Sequence, residues 1–506
     1  MNVATMTTPA SHARHGVTAD DVVLSAEDVS VRVRGVQTAL LAPVSLALKA
    51  GEPLVVIGET GSGKSLLAQA LLGTLPPELV ASGSLWLDGE QYPLHVPQNR
   101  RPLWGRRLAV LPQEPWLALD PLMKVIHQVG EAYRLVAGRS AQASHAAARS
   151  DLEQLGVAAA GEQLPGKLSG GMAQRVAFAA ARAGGAPLLI ADEPTKGLDA
   201  ARVSEIGELL LKSLAETPRA GLMVITHDMA LAHQIGGRLM VVRKGEVIEQ
   251  GATRDVLAAP THAYTQRLVN AAPQAWPEAA FKPAADSASR DEGKAAGETI
   301  IHAETLTIAR GGPSLLRDVE LSVKGGEIIG IQGASGCGKS SLGDALLGLL
   351  APYSGKVVRS AEMLEYQKLY QDPVATFPPR RTLGRLLKDL SARHRLDDSQ
   401  LAQLMAQLSL APELLSRLPG QVSGGELQRF ALLRLMLIKP RFVFADEPTS
   451  RLDPLVQQEV IACMVKMVRE QGTALVLVSH DAALLRKVAD RVLVVEEGRL
   501  KARQQL

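Results

Sequence analysis

Two stretches of this chain have the residue types to hold phosphate. One is Gly58, Glu59, Thr60, Gly61, Ser62, Gly63, Lys64 and Ser65. The other is Gly333, Ala334, Ser335, Gly336, Cys337, Gly338, Lys339 and Ser340, with Ser341 directly after it. Both spell G-x-x-x-x-G-K-S, the phosphate-binding P-loop. Glycines let backbone N–H groups turn inward around phosphate oxygens. Lys64 and Lys339 would reach the β- and γ-phosphates of a nucleotide, and Ser65 and Ser340 would hold Mg²⁺. An apolar run precedes each loop (residues 53–57 and 328–331), and a helix-like run follows (66–72 and 342–347). Strand, loop and helix in that order put phosphate at a helix N-terminus. A chance glycine-rich turn accounts for one such match, not for two in matched surroundings.

Downstream of each loop the same side chains recur in the same order. Asp192 and Glu193 close one apolar strand, and Asp446 and Glu447 close another. An aspartate at a strand end can hold the Mg²⁺ shell, which assigns Asp192 and Asp446 to the metal. The glutamate beside it can polarise attacking water, so Glu193 and Glu447 are the general-base candidates. Gln113 and Gln371 follow apolar strands, where an amide touches both Mg²⁺ and water. His227 and His480 each end an apolar strand before an aspartate, and a neutral imidazole there can bond a γ-phosphate oxygen. Ser169, Gly170 and Gly171, and likewise Ser423, Gly424 and Gly425, open helices. A hydroxyl, free N–H groups and a helix dipole make a second anion surface in each half. A lone strand-end acid reads equally well as a surface turn, and a lone histidine as a satisfied core group. The matched recurrence reverses both readings.

The elements that must position these groups follow the same two-fold order. Residues 1–20 are small and polar and are expected to be a disordered tail. Residues 21–270 make one domain, 271–299 a linker without periodicity, and 300–506 a second domain. The extra length of the first half lies mostly between its P-loop and Gln113, around residues 86–107. Bulk composition narrows the field. A net charge of +3 sets no strong field toward nucleic acid, and 3% aromatics is too sparse for a base-stacking surface. Cys337 and Cys463 are the two cysteines, too few for a disulfide framework, a Cys₄ zinc site or an iron–sulfur cluster. No apolar run approaches the ~18–20 residues of a spanning helix, so the chain is expected to be soluble and any membrane role to need other subunits.

Taken in order, P-loop, glutamine, LSGGMAQR (168–175) or VSGGELQR (422–429), Asp-Glu and histidine resemble the nucleotide-binding domains of ABC ATPases. The resemblance spans nearly the whole chain apart from tail and linker. It implies an α/β fold of two P-loop NTPase domains in tandem, each with a RecA-like core, an antiparallel β subdomain and a helical subdomain. It further implies that the halves stack head to tail as an internal pseudo-dimer, with ATP and Mg²⁺ sandwiched between them. Site one would then be Lys64, Asp192, Glu193 and His227 with Ser423, Gly424 and Gly425. Site two would be Lys339, Asp446, Glu447 and His480 with Ser169, Gly170 and Gly171. Both keep every motif, so two hydrolytic sites are expected. The sequence departs from the family in two places. Lys196-Gly197-Leu198-Asp199 replaces a serine-rich spelling, matched in the second half by Ser450-Arg451-Leu452-Asp453. Val33-Arg34 and Ala309-Arg310 stand where an aromatic usually stacks on adenine, and a guanidinium can stack in its place. Cys337 lies inside the second P-loop, where bulky alkylation would exclude phosphate.

Two segments resemble the dipeptide/oligopeptide/nickel importer branch. Residues 114–121 and 372–379 follow the two glutamines and look like that branch's contact with membrane coupling helices. Residues 259–268, APTHAYTQRL, look like its HPYT-type motif, and the second half carries no copy. The resemblance implies two membrane permease subunits and an extracytoplasmic solute-binding protein as partners, and no nucleic acid. It implies a peripheral position on the cytoplasmic face of the inner membrane, and a peptide, nickel or metallophore solute. The alternatives are the fused ATPase of a monosaccharide importer and a soluble ribosome-acting ABC protein. The latter needs a long basic arm, whereas the linker here is short and slightly acidic. A DNA-repair ATPase would need zinc cysteines or coiled coils, and neither is in the sequence.

Overall fold

The computed structural model describes residues 21–196, 198, 200–277, 281, 297–310, 312, 314–397, 399–450 and 452–502. The tail histidines, most of the expected linker, Gly197, Asp199 and Arg451 lie outside them. The first half has strands β1 (Val22–Val33), β2 (Ala39–Lys49), β3 (Leu54–Ile57), β4 (Leu79–Leu87), β5 (Glu90–Pro93), β6 (Leu108–Leu111), β7 (Leu188–Asp192), β8 (Gly221–Ile225), β9 (Arg238–Arg243) and β10 (Glu246–Ala252). The second has β11 (Thr299–Ala309), β12 (Ser314–Lys324), β13 (Ile328–Gly333), β14 (Ser354–Arg359), β15 (Tyr366–Leu369), β16 (Phe442–Asp446), β17 (Ala474–Val478), β18 (Arg491–Glu496) and β19 (Arg499–Ala502).

Each half builds one six-stranded sheet around its P-loop strand. The order is β10-β9-β3-β8-β7-β6 in the first half and β19-β18-β13-β17-β16-β15 in the second. Only the edge strands β10 and β19 run antiparallel to their neighbours. The short unbroken apolar runs explain why these strands are central. All residues of β3, β8 and β17 are buried, as expected for parallel strands covered on both faces. A second, antiparallel sheet packs beside each core, β2-β1-β4-β5 in one half and β12-β11-β14 in the other. The insertion read around residues 86–107 is β5 and the 3₁₀ segment Pro97–Leu103.

Helices Val125–Glu131 and Ala141–Gln154 pack on helix Gly170–Arg182 through Val129, Leu152 and Val176, giving the first helical subdomain. Leu383–His394, Leu401–Gln407 and Gly424–Ile438 do the same in the second half. The halves also exchange apolar side chains. Trp276, inside the segment read as linker, is 2% exposed and packs into the second half's main core with Phe281. Its indole N–H donates to the Ala271 carbonyl at 2.9 Å. Leu455 of the second half packs against a first-half core. A residue this large, fully removed from water, contributes about 2–3 kcal/mol of transfer free energy. The start of the expected linker is therefore a docked element.

Candidate active site between the two halves

The P-loops sit where their sequences put them, between the ends of β3 and β13 and the helices Lys64–Leu72 and Lys339–Leu346. Gly63 and Gly338 precede those helices with φ of 105° and 104°, a backbone that L side chains rarely adopt. At Gly58 a Cβ would fall 2.1 Å from the Val242 carbonyl oxygen, so only glycine fits. Lys64 Nζ donates to the carbonyls of Gly58 and Glu59, both at 2.8 Å. Lys339 Nζ does the same with Gly333 and Ala334, again at 2.8 Å. Both ammonium groups thus curl over the loops they belong to. Burial pushes the Lys64 pKa down, against the pull of Glu193 and Asp192.

The acids are aimed by a tight turn. Glu193 and Glu447 adopt φ of 49° and 47° immediately after β7 and β16. A non-glycine residue in this region costs about 1–2 kcal/mol. The cost is met by the neighbouring strand: Glu193 N–H donates to Ile225 C=O at 2.8 Å and Glu447 N–H to Val478 C=O at 3.1 Å. That fixes each glutamate against the strand that ends at the histidine. His227 Nδ1 lies 2.6 Å from Glu193 Oε2, and His480 Nε2 lies 2.6 Å from Glu447 Oε1. Burial alone would keep the first pair neutral, but the contact outweighs it: the Glu193 pKa falls and the His227 pKa rises. The contact ties the His227 ring to the Glu193 carboxylate through Nδ1.

Ser65 Oγ donates to Asp192 Oδ1 at 3.1 Å. Burial and the adjacent Glu193 charge push the Asp192 carboxyl up to about 6. A hydroxyl and a desolvated carboxylate are hard oxygen donors, and a divalent cation would remove the penalty on the charged form. Among the described residues no cluster of three or more His, Cys, Asp or Glu could hold a metal unaided. Ser65, Asp192 and Gln113 are the residues that would hold Mg²⁺ together with nucleotide phosphates.

A cavity of 560 Å³ joins these groups to the other half. From the first half it is lined by Glu59, Thr60, Gly61, Lys64, Ser65, Gln113, Glu193, Lys196 and His227. From the second come Gln371, Ser423, Gly424, Gly425, Glu426 and Asp453. The Thr60 N–H donates to Asp453 Oδ2 at 3.4 Å, a direct bond between the halves. Ser423 caps helix Gly424–Ile438: its Oγ accepts from Glu426 N–H at 3.2 Å and its own N–H donates to the Glu426 carboxylate at 2.8 Å. Ser169 caps Gly170–Arg182, accepting from Met172 N–H at 3.4 Å. A second cavity of 470 Å³ lies between the halves and is lined by His227, Asp228, Glu447, Ser450, His480 and Asp481 among others.

The second half-site differs. Gln371 Nε2 donates to Glu447 Oε2 at 3.1 Å. Ser335, Gly336, Ser340 and Gly170 are exposed, while Ser169 is half-buried and Gly171 buried. Asp446 lies 3.5 Å from the ammonium of Lys368. Lys368 was not singled out in the sequence, although it is the one charge in the short strand ending at Leu369. Tyr264 also carries a role that its motif did not reveal: its hydroxyl oxygen accepts the Glu59 N–H of the first P-loop at 2.8 Å. Arg34 and Arg310 are both exposed, and Arg34 donates to the Pro77 carbonyl at 3.5 Å. Cys337 is half-buried and free.

Comparison with known proteins places this arrangement. The ABC transporter family model matches residues 41–196 and 316–450, which contain both P-loops and both Asp-Glu pairs. The chain belongs to the ABC transporter ATP-binding proteins. This ABC protein is 31% identical to the "uncharacterized ABC transporter ATP-binding protein YejF" of Escherichia coli K12, over 94% of each chain. It is 32% identical to the "peptidoglycan transport ATP-binding protein YejF" of Agrobacterium fabrum, covering 94% of this chain and 92% of that one. It is 30% identical to the "glutathione import ATP-binding protein GsiA" of Salmonella typhi, covering 95% and 85%. Among solved structures, an RNase-L inhibitor shares the tandem fold with a TM-score of 0.63 at 23% identity, covering 93% of this chain and 89% of that one. This ABC protein is an ATPase with two nucleotide-binding domains in one chain.

Proposed function

We propose that this chain is the ATP-hydrolysing subunit of an importer for peptide-type solutes, acting through two separate permease subunits and an extracytoplasmic solute-binding protein. The cavity lined by both the Lys64 loop and Ser423, Gly424 and Gly425 carries the mechanistic part of the reading. The names of the relatives, glutathione import and peptidoglycan transport, support the solute class. Nickel or metallophore uptake belongs to the same branch. Among the described residues no helix is long and apolar enough to cross a membrane, which suits a peripheral subunit on the cytoplasmic face.

In this reading ATP sits with its phosphates on residues 58–65 of one half and against Ser423, Gly424 and Gly425 of the other. Site two pairs residues 333–341 with Ser169, Gly170 and Gly171. Glu193 and Glu447 take the proton of attacking water. His227 and His480 hold those glutamates and donate to the γ-phosphate. Ser65, Gln113 and Asp192, and Ser340, Gln371 and Asp446, would hold Mg²⁺, which would draw charge from the phosphate oxygens. Anionic phosphate bridging two half-sites pulls the halves together, and hydrolysis releases them. Exposed apolar side chains beside the two glutamines, Trp116 and Leu122 in one half and Val374 in the other, offer docking points for permease helices.

The test is reconstitution. A Trp116→Asp plus Leu122→Asp variant keeps nucleotide binding but no longer co-purifies with the permease subunits. ATP turnover of the assembled complex rises with its solute-binding protein loaded with di- or tripeptide. Co-purification with ribosomes, or stimulation by a sugar-loaded binding protein, would replace this reading.

A further inference from the structure

We propose that Lys368 sets the two composite sites apart by holding the Asp446 carboxylate, so that site two takes up Mg²⁺ more weakly than site one. The inference rests on the assignment of Asp192 and Asp446 to the metal. β15 pairs with β16 so that Lys368 stands opposite Phe444, and β6 pairs with β7 so that Val110 stands opposite Ile190. Lys368 and Val110 therefore occupy the same place in the two sheets. The Lys368 side chain is 7% exposed, its Nζ 2.8 Å from Asp344 Oδ1 and 3.5 Å from Asp446 Oδ2. The Tyr370 and Phe444 rings close over the ammonium at 5.0 and 5.9 Å.

No part of this cage has an equivalent in the first half. The corresponding residues are Val110 for the lysine, Gln69 for Asp344, Pro112 for Tyr370 and Ile190 for Phe444. There Asp192 faces the Ser65 hydroxyl. A buried ammonium 3.5 Å from Asp446 repels an incoming divalent cation. The lysine cannot simply swing away, because that would leave Asp344 without its cation. Lys368 is a positioning residue, acting on the metal through Asp446.

The experiment measures Mn²⁺ binding by electron paramagnetic resonance, at saturating ATP, in chains with one site silenced. With site one silenced (Lys64→Ala), half-saturation needs about three- to tenfold more Mn²⁺ than with site two silenced (Lys339→Ala), the range of a partly screened charge contact. Lys368→Met with Asp344→Gln lowers the site-two midpoint to the site-one value. The reciprocal Val110→Lys with Gln69→Asp raises the site-one midpoint by a similar factor, and it decides the matter should the first variant not fold. Equal midpoints, or no shift in the reciprocal variant, overturn the proposal. Asp192→Asn at site one is the control. If it leaves Mn²⁺ binding intact, the metal assignment fails, independently of Lys368.

Discussion

Asp192 faces a serine hydroxyl; Asp446 faces a lysine. The two halves repeat one set of motif residues, yet the ring of side chains around each set has diverged. In the first half the P-loop backbone is held by Tyr264, while among the described residues no tyrosine hydroxyl is bonded to the second P-loop backbone. The helix N-terminus presented to site one carries Glu426 where its counterpart has Met172. Gln113 and Gln371 both line the shared cavity, and Gln371 is in addition bonded to Glu447. The lesson is that motif completeness does not make two sites equivalent. The groups that tune charge lie on neighbouring strands and helices, outside any motif.

The sharpest way to break this comparison is to remove each candidate base in turn. Glu193→Gln is expected to lower ATP turnover by at least about 100-fold, the lower end of a general base's contribution. Glu447→Gln should cost less than about twofold, because the smaller share of turnover is expected at site two. Steady-state phosphate release on each purified variant reads the difference. Identical losses would mean that the sites fire only as a unit and that the structural asymmetry has no kinetic consequence.

Much of the fold was readable because its signals are local. Runs such as 54–57 and 474–478 are too short and too apolar for anything but buried strands, and the glycine-rich loops mark the turns between strand and helix. The glutamates' left-handed turn was not readable, since nothing in Asp-Glu announces φ near 50°. It follows from the neighbouring strand's carbonyl, a tertiary partner. Trp276 was hidden by its polar, alanine-rich surroundings, and its burial depends on a core assembled from the other half. Tyr264 sits in a segment whose resemblance pointed elsewhere. Nothing local marks Lys368; its role follows from the fold, which brings Asp344 and Asp446 to it.

A second comparison turns on protons. Burial raises the Asp192 carboxyl from 3.8 to about 6, so the folded chain binds more protons there than the unfolded one between those values. Stability from this group is therefore greatest at acidic pH and falls as pH rises through about 6 in metal-free protein. A bound cation reverses the preference. Mn²⁺ affinity at site one, measured in the Lys339→Ala chain with ATP present, should fall about tenfold between pH 7 and pH 5 as the proton competes for the carboxylate. Asp192→Asn should flatten that dependence. A flat profile in the unmutated site would remove Asp192 from the metal's shell.

The smallest effect concerns the loop rather than the charge. Tyr264 is 2% exposed, and its ring lies under the Arg243 guanidinium at 4.8 Å. Its hydroxyl oxygen is the partner of the Glu59 N–H. Tyr264→Phe keeps the packing and strands that N–H, a loss of about 1 kcal/mol, which is about fivefold in an equilibrium. The loss falls on the loop conformation that receives phosphate. ATP affinity at site one, read by fluorescent-nucleotide titration of the Lys339→Ala chain, should weaken by that factor. Site two, read in the Lys64→Ala chain, should stay as it was, because among the described residues no tyrosine hydroxyl is bonded to its loop. Global destabilisation would weaken both sites together, so a change confined to site one separates a held P-loop from a merely loosened fold.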